Sequence, residues 1–305
     1  MYDIIGIGST VFDMLMLTES FPDEDSKIQA KTTRIQAGGP CATALVTASC
    51  LGVSAAYMGT VGDDMYGKYM LDSMRRYRVG VECVRIVENC ESFHCVVLIN
   101  GESATRTVIW NKGTVPMPLT EDINLNVLKQ AKYLYLDGHQ TETAIYAAKR
   151  AREFGVKVFL DAGGRYLGIK NLLPLVDVLI PSEEFALGIT GADTAEAAMH
   201  MMYELYHPEI LVITQGRAGG MLYNQGSIER YPSFKVDAID TNGAGDVFHG
   251  AFTAGLVRGM TPISCARFAS AVSAMKCRCF GTREGIPDYE QALAFMRERG
   301  VTPND

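Results

Sequence analysis

Residues 132–161 read KYLYLDGHQTETAIYAAKRAREFGVKVFLD, and the order of their apolar runs decides the fold class. Two short runs, Lys132–Leu136 and Val156–Asp161, are nearly continuous in apolar residues, the pattern of strands covered on both faces. Between them, Glu142–Phe154 repeats its apolar residues at helical spacing. The rhythm extends both ways, with a helix over Glu121–Gln130 before it, then strand Val178–Ile180, helix Thr194–Leu205 and strand Ile210–Thr214. Strands alternating with helices predict an α/β chain: a doubly wound, mostly parallel sheet with helices on both faces.

Toward the N-terminus, Ile4–Gly8 reads as a short strand, followed by a polar stretch, Glu19–Gln36, with alternation in Lys27–Ala30. The turn Gly38-Gly39-Pro40 opens a helix over Cys41–Leu51, then strand Ala55–Val61, helix Met65–Arg78 and strand Val81–Val87. Asn100-Gly101 between Phe93–Ile99 and Ala104–Trp110 is a hairpin signal, and Asn224-Gln225-Gly226 between Met221–Tyr223 and Ile228–Tyr231 is a second. Helices follow over Ala244–Arg258, Ile263–Cys279 and Tyr289–Arg299. Segments 14–36 and 92–113 are expected to be β-rich insertions forming a small sheet over the mouth of a site. The rest is expected to be one domain over 1–300 with a frayed end.

Composition excludes several classes. The chain has 305 residues, 48% hydrophobic, and a net charge of −7, so it carries no electrostatic footprint for nucleic acid or an anionic membrane. No apolar stretch approaches a membrane span, and the N-terminus has no basic region of a signal peptide. Eight cysteines are scattered without a Cys-x-x-Cys pair, which predicts a reduced, cytoplasmic protein. Cys277-Arg278-Cys279 lacks any partner pattern for a metal and reads as packing.

The chemistry concentrates in Asp240-Thr241-Asn242-Gly243-Ala244-Gly245-Asp246. The apolar run that follows has Val247, Phe248, Ala251, Phe252 and Leu256 at helical spacing, so the turn is a helix N-terminus. Free amides, the positive end of the helix dipole and small residues make an anion site there. The functional reading is phosphoryl transfer: the amides of Gly243, Ala244 and Gly245 steady the phosphate, and Asp246 takes a proton from an attacking hydroxyl. The bland reading is a capped turn without chemistry. Two decoys fail on residue identity. Gly6-Ile7-Gly8 lacks the third glycine of a dinucleotide fingerprint, since position 11 is Val, and Gly62–Lys68 lacks the hydroxyl of a phosphate loop, since position 69 is Tyr. The five histidines show no ligand spacing and read as surface or core.

Together these motifs resemble the ribokinase-like (PfkB) carbohydrate kinases. Gly38–Ala44, with Leu51-Gly52 and Gly59–Gly67, is similar to the family's N-terminal signature, and Asp240–Asp246 to its C-terminal one. Thr214–Gly220 resembles its nucleotide-binding turn, and the order fits from residue 3 to about 290. The resemblance implies a ribokinase-like fold with a β-sheet lid, ATP and Mg²⁺ as nucleotide and metal, and a small sugar as acceptor. It implies Asp246 as general base with Gly243, Ala244 and Gly245 as anion hole. Asp13, Gly38, Gly39, Thr43, Asp137 and Arg165 would face the sugar. Ser182, Thr214, Gly216, Gly219 and Ser273 would line the nucleotide site. Asp240 and Asn242 lie where relatives hold a monovalent cation such as K⁺, and Glu183 would support Mg²⁺. Asp13 and Asp137 would equally serve as turn formers, Gly38-Gly39 as a helix entry, and Arg165 as the partner of a neighbouring acid.

Two departures stand out. Thr43 replaces the usual Asn, and Ser182-Glu183-Glu184-Phe185 replaces Asn-x-x-Glu near Mg²⁺. Phe234–Asp237, Asp246–Ala251, Arg267–Ser270 and Gly285–Asp288 are similar to the sulfofructose kinase subgroup, as is Thr43, but His139 stands near the place of an expected sulfonate-gripping Arg. Two other functions remain open: a nucleoside kinase with Phe12, Phe93 and Trp110 as aromatic walls, and a non-catalytic sugar-binding protein. Alternation of Val96, Leu98, Val108 and Trp110 predicts a homodimer clasped through the lid.

Overall fold

The computed structural model describes residues 1–103, 105–224 and 226–302. Among them, nine strands build the large sheet. At its centre lie β1 (Ile4–Ile7), β4 (Ala55–Gly62) and β8 (Tyr133–Leu136), flanked by β5 (Gly80–Val87) on one side and β9 (Lys157–Ala162), β10 (Val178–Pro181) and β11 (Ile210–Thr214) on the other. These seven pair in parallel, and β12 (Gly220–Asn224) and β13 (Ser227–Tyr231) add an antiparallel hairpin at the edge.

Alternate residues of each strand feed two cores. Tyr135, Phe159, Ile180 and Val212 face α1 (Pro40–Cys50), α2 (Met65–Arg76), α8 (Ala244–Val257), α9 (Pro262–Lys276) and α10 (Tyr289–Arg297). Their neighbours Leu134, Leu136, Leu160, Leu179 and Ile213 face α4 (Thr141–Glu153), α5 (Ile169–Leu172), α6 (Glu183–Thr190) and α7 (Ala195–Tyr206). Burial on both faces is why the strands read as continuous apolar runs. The winding direction reverses between β1 and β8, which opens a crevice beyond their carboxyl ends.

The insertions form a four-stranded sheet ordered β3 (Thr32–Gly38), β2 (Val11–Thr18), β6 (His94–Asn100), β7 (Arg106–Asn111). It starts at Val11, earlier than expected, and Lys27–Ala30 is not a strand. The Asn100-Gly101 turn is wider than a two-residue hairpin, because the Asn100 side chain accepts from the amides of Glu102 and Ser103. Ala104 of that connection, Gln225 of the second hairpin and the C-terminal residues 303–305 lie outside the described residues.

Two helix expectations change. The segment 121–130 is not one helix but a single tight turn, Thr120–Asp122, and a short α3, Leu125–Leu128. Asp122 folds back onto the Leu119 amide at 2.7 Å and Asn124 caps Val127 at 3.2 Å, so two side chains interrupt the run. The helix α6, not expected, starts where the Ser182 hydroxyl accepts from the Phe185 amide at 3.1 Å.

Candidate active site

The heptad folds as read. Gly243 caps α8 with φ 74°, and Asp246 stands in the helix's first turn. A Cβ on Gly243 would lie 2.5 Å from the Thr282 methyl, so both the backbone sign and the space call for glycine. A Cβ on Gly245 would meet nothing within 4 Å, so that residue borders open space. The Ala244 amide is already engaged, at 3.2 Å, by the Thr241 carbonyl. Of the three amides expected to cradle an anion, Gly243 and Gly245 are therefore the ones to consider. Ser273 pins the turn from α9, its hydroxyl donating to the Ala244 carbonyl at 2.7 Å.

Asp246 is half-buried, and its pKa is pushed up to about 7, first by desolvation and then by the Asp161 charge. Asp161, in β9, is likewise raised to about 7 by burial and by Asp137. It accepts from the Tyr135 hydroxyl at 3.1 Å and lies 3.2 Å from His249 Nδ1. His249 also touches the Gly245 carbonyl at 2.7 Å and the Ile180 carbonyl at 3.1 Å. Burial lowers its pKa, so desolvation drives both partners toward their neutral forms. The sequence reading placed His249 in the surface or core and did not single out Asp161. No spacing signal joins Tyr135, Asp161 and His249, because three separate elements bring them together.

Two cavities bear on the site, and the turn borders the first of them. One of about 990 Å³ is lined by Thr214, Gly216, Gly219, Gly245 and Ser273, among others. This gathers four of the five expected nucleotide residues. Gly216 and Gly219 have φ 55° and 89°, and a Cβ at Gly219 would strike the Tyr231 carbonyl at 2.0 Å. Ser182, the fifth, bridges to Thr214 from just beyond β10, but its hydroxyl is spent on capping α6. Glu183 accepts from Gln215 at 2.8 Å, which fixes its carboxylate next to that turn. The second cavity, about 510 Å³, lies between the crevice and the lid-side strands and is lined by Ser9, Thr10, Phe93, Lys112, His139 and Gln140, among others.

Asp13 sits in β2 and is buried; it accepts from the Cys95 thiol at 2.9 Å. Burial raises its pKa, with the Cys95 and Gln36 hydrogen bonds and the Arg283 charge opposing. Gly38 lets this carboxylate approach, since a Cβ there would lie 2.3 Å from Asp13 Oδ2. Gly39, at φ 90°, lies against the Ser9 carbonyl and opens α1.

Other expected sugar contacts are otherwise engaged. Asp137 is buried, with Oδ2 accepting from the Ser9 amide at 2.7 Å and hydroxyl at 2.6 Å and Oδ1 from the His139 amide at 3.0 Å. It therefore fastens the ends of β1 and β8. Thr43 is fully buried and its hydroxyl takes the Arg283 Nε at 3.4 Å. Arg165 is exposed and reaches the Gly188 carbonyl of α6 at 3.4 Å; it pairs with no acid among the described residues and lines neither cavity. Arg283, expected only to offer a backbone oxygen near the cation loop, uses its side chain to donate to the Gly38 carbonyl and the Ser73 hydroxyl, each at 3.0 Å, and so clamps β3, α1 and α2. Burial lowers its pKa to about 10, which leaves it charged at neutral pH.

Asp240 and Asn242 are also satisfied from within. The Asp240 carboxylate accepts from the amides of Asn242 at 2.8 Å and Gly281 at 3.0 Å, and the Asn242 side chain donates to Thr282 at 3.1 Å.

The model of the pfkB family of carbohydrate kinases matches residues 1–289. The chain belongs to that family. Among curated relatives of this pfkB-family kinase are a ribokinase of Arabidopsis thaliana, 28% identical over 96% of this chain and 81% of the relative, and an ATP-dependent ribose-1-phosphate kinase of Halopiger xanaduensis, 27% identical over 98% and 99%. The structure of the Arabidopsis ribokinase complexed with ribose and ATP superposes with a TM-score of 0.86, at 26% identity over 96% of this chain and 98% of that one. The family kinase fold is therefore the nine-stranded body with its separate four-stranded lid, and the enzyme is a phosphotransferase acting on an alcohol group.

Proposed function

We propose that this kinase moves the γ-phosphate of ATP to a hydroxyl of a small sugar, with Asp246 as the general base. The observation that carries this is the place of Asp246, in the first turn of α8 and next to amides that border the larger cavity. ATP lies along Thr214, Gly216 and Gly219 with its terminal phosphate toward Gly243 and Gly245. The sugar lies over Gly38, Gly39 and Asp13, in the crevice beneath the lid. A carboxyl with a pKa near 7 suits proton removal, because it is a stronger base than an ordinary aspartate and is still ionised in an adequate fraction at neutral pH. The dipole of α8 and the free amides stabilise charge on the phosphoryl group in flight. The lid excludes water, which would otherwise be phosphorylated in place of the sugar.

A Mg²⁺ ion comes on the nucleotide phosphates, takes few protein ligands and keeps several waters. Bound there, the ion neutralises phosphate charge. Glu183 would face its water shell from the Thr214 turn.

The test is Asp246→Asn, assayed by ADP release over a sugar panel and by calorimetry with ATP. The expected result is a fall in kcat of about 10²–10⁴ with ATP affinity retained. Turnover near that of the unmodified enzyme overturns the role. A nucleoside acceptor is a second reading, favoured by Phe93, which stacks on His139 with centroids 5.8 Å apart and tilts toward Trp110 at 6.0 Å. Including nucleosides in the panel decides between the two.

The eight cysteines are free, which supports a reducing, cytoplasmic setting, and no helix among the described residues is long and apolar enough to cross a membrane. The lid supports a homodimer: Val108, Ile109 and Trp110 on β7 are 47%, 60% and 64% exposed at the sheet's free edge.

A further inference from the structure

Lys276 closes α9 and has no exposed surface. A lysine this deep is costly unless its charge is compensated. Among the described residues it makes no ion pair within 4 Å. Its ammonium donates instead to two main-chain oxygens of the heptad, the Asp240 carbonyl at 3.1 Å and the Asn242 carbonyl. The Asp240 charge lies close by and favours the protonated form against the pull of burial.

The residues present do not fit a bound monovalent cation at this loop. The Asp240 carboxylate and Asn242 amide are engaged by Asn242, Gly281 and Thr282, and the carbonyls of the same two residues carry an ammonium. A second cation on those oxygens would face an unscreened like charge. We propose that the Lys276 ammonium is a tethered monovalent cation: it neutralises the carbonyls of the Asp240–Asn242 loop, holds the turn that presents Gly243 to Asp246, and makes the enzyme indifferent to potassium. Lys276 is thus a positioning residue, and this inference rests on the kinase reading above.

The experiment compares the unmodified enzyme in potassium chloride and in tetramethylammonium chloride at equal ionic strength. Melting temperature, ATP affinity by calorimetry and kcat are each expected to agree between the salts, the last two within about twofold. A potassium-specific, saturable rise in melting temperature or in kcat overturns the proposal, because a ligand of the folded state must stabilise it. Lys276→Ala, which bares the two carbonyls, is expected to lose about tenfold or more in kcat and to regain part of it, with a higher melting temperature, on adding potassium. Loss that potassium does not restore contradicts the tethered-cation role. If Lys276→Ala does not fold, the salt comparison on the unmodified enzyme decides. If no sugar or nucleoside is phosphorylated, the kinase reading fails while the melting comparison still judges the cation.

Discussion

Burial raises the proton affinity of Asp246 first, and the Asp161 charge raises it further. The base works only when ionised, so kcat/KM should rise with pH and level off above about 7–8, following the free-enzyme pKa. Asp161→Asn removes a negative charge from beside Asp246. The rise should then move to lower pH, by a fraction of a unit or more, as read from kcat/KM profiles of the two proteins. An unmoved profile would mean that Asp161 does not act on Asp246 electrostatically. The heptad announces Asp246 because its glycines and carboxylates sit together in sequence. Asp161, His249, Lys276 and Arg283 give no such signal, since each is a lone polar residue in an apolar run or an irregular tail. Thr43, Asp137 and Arg165 stand out by motif position, yet their polar atoms are bound to Arg283, to Ser9 and His139, and to Gly188. Motif position shows where a residue is, and only packing shows where its side chain is used.

At the scale of elements, the site is the meeting of two helix starts. Helix α1 begins at the Gly38-Gly39 platform and α8 at the anion turn, and the two pack closely where a Cβ on Gly250 would lie 2.3 Å from the Ala44 carbonyl. Gly250→Ala should therefore push the helices apart. The expected cost is about 1–3 kcal/mol of stability, measured by denaturant unfolding, with a drop in kcat/KM because platform and base separate. The central strands are legible from sequence because both faces of each are buried. The short α6 is not, since it opens with two glutamates and its eight residues are too few to establish a period. The helix expected over 121–130 fails for the opposite reason: its apolar residues repeat, but Asp122 and Asn124 bond to the backbone locally and break it.

At the scale of the whole molecule, the lid is both a cover and an edge. Strand β7 is exposed along its whole length, unlike any strand of the large sheet's centre. A dimer clasped there predicts a two-chain mass by light scattering at micromolar concentration, and Trp110→Glu should shift it to a single-chain mass by putting a charge into the contact. A single-chain mass for the unmodified protein removes this interface.

One stem between body and cover is three residues, Gly8, Ser9 and Thr10, lying between β1 and β2. Gly8 gives its carbonyl to the Tyr57 hydroxyl at 2.8 Å and to Gln140 at 3.2 Å, while Ser9 is held twice by Asp137. A root so tightly bolted cannot be where the cover bends. Opening must instead be a swing about this fixed axle, with the give in the connections that enter β6 and leave β7, so the mouth would widen first at its far rim and last beside Asp13.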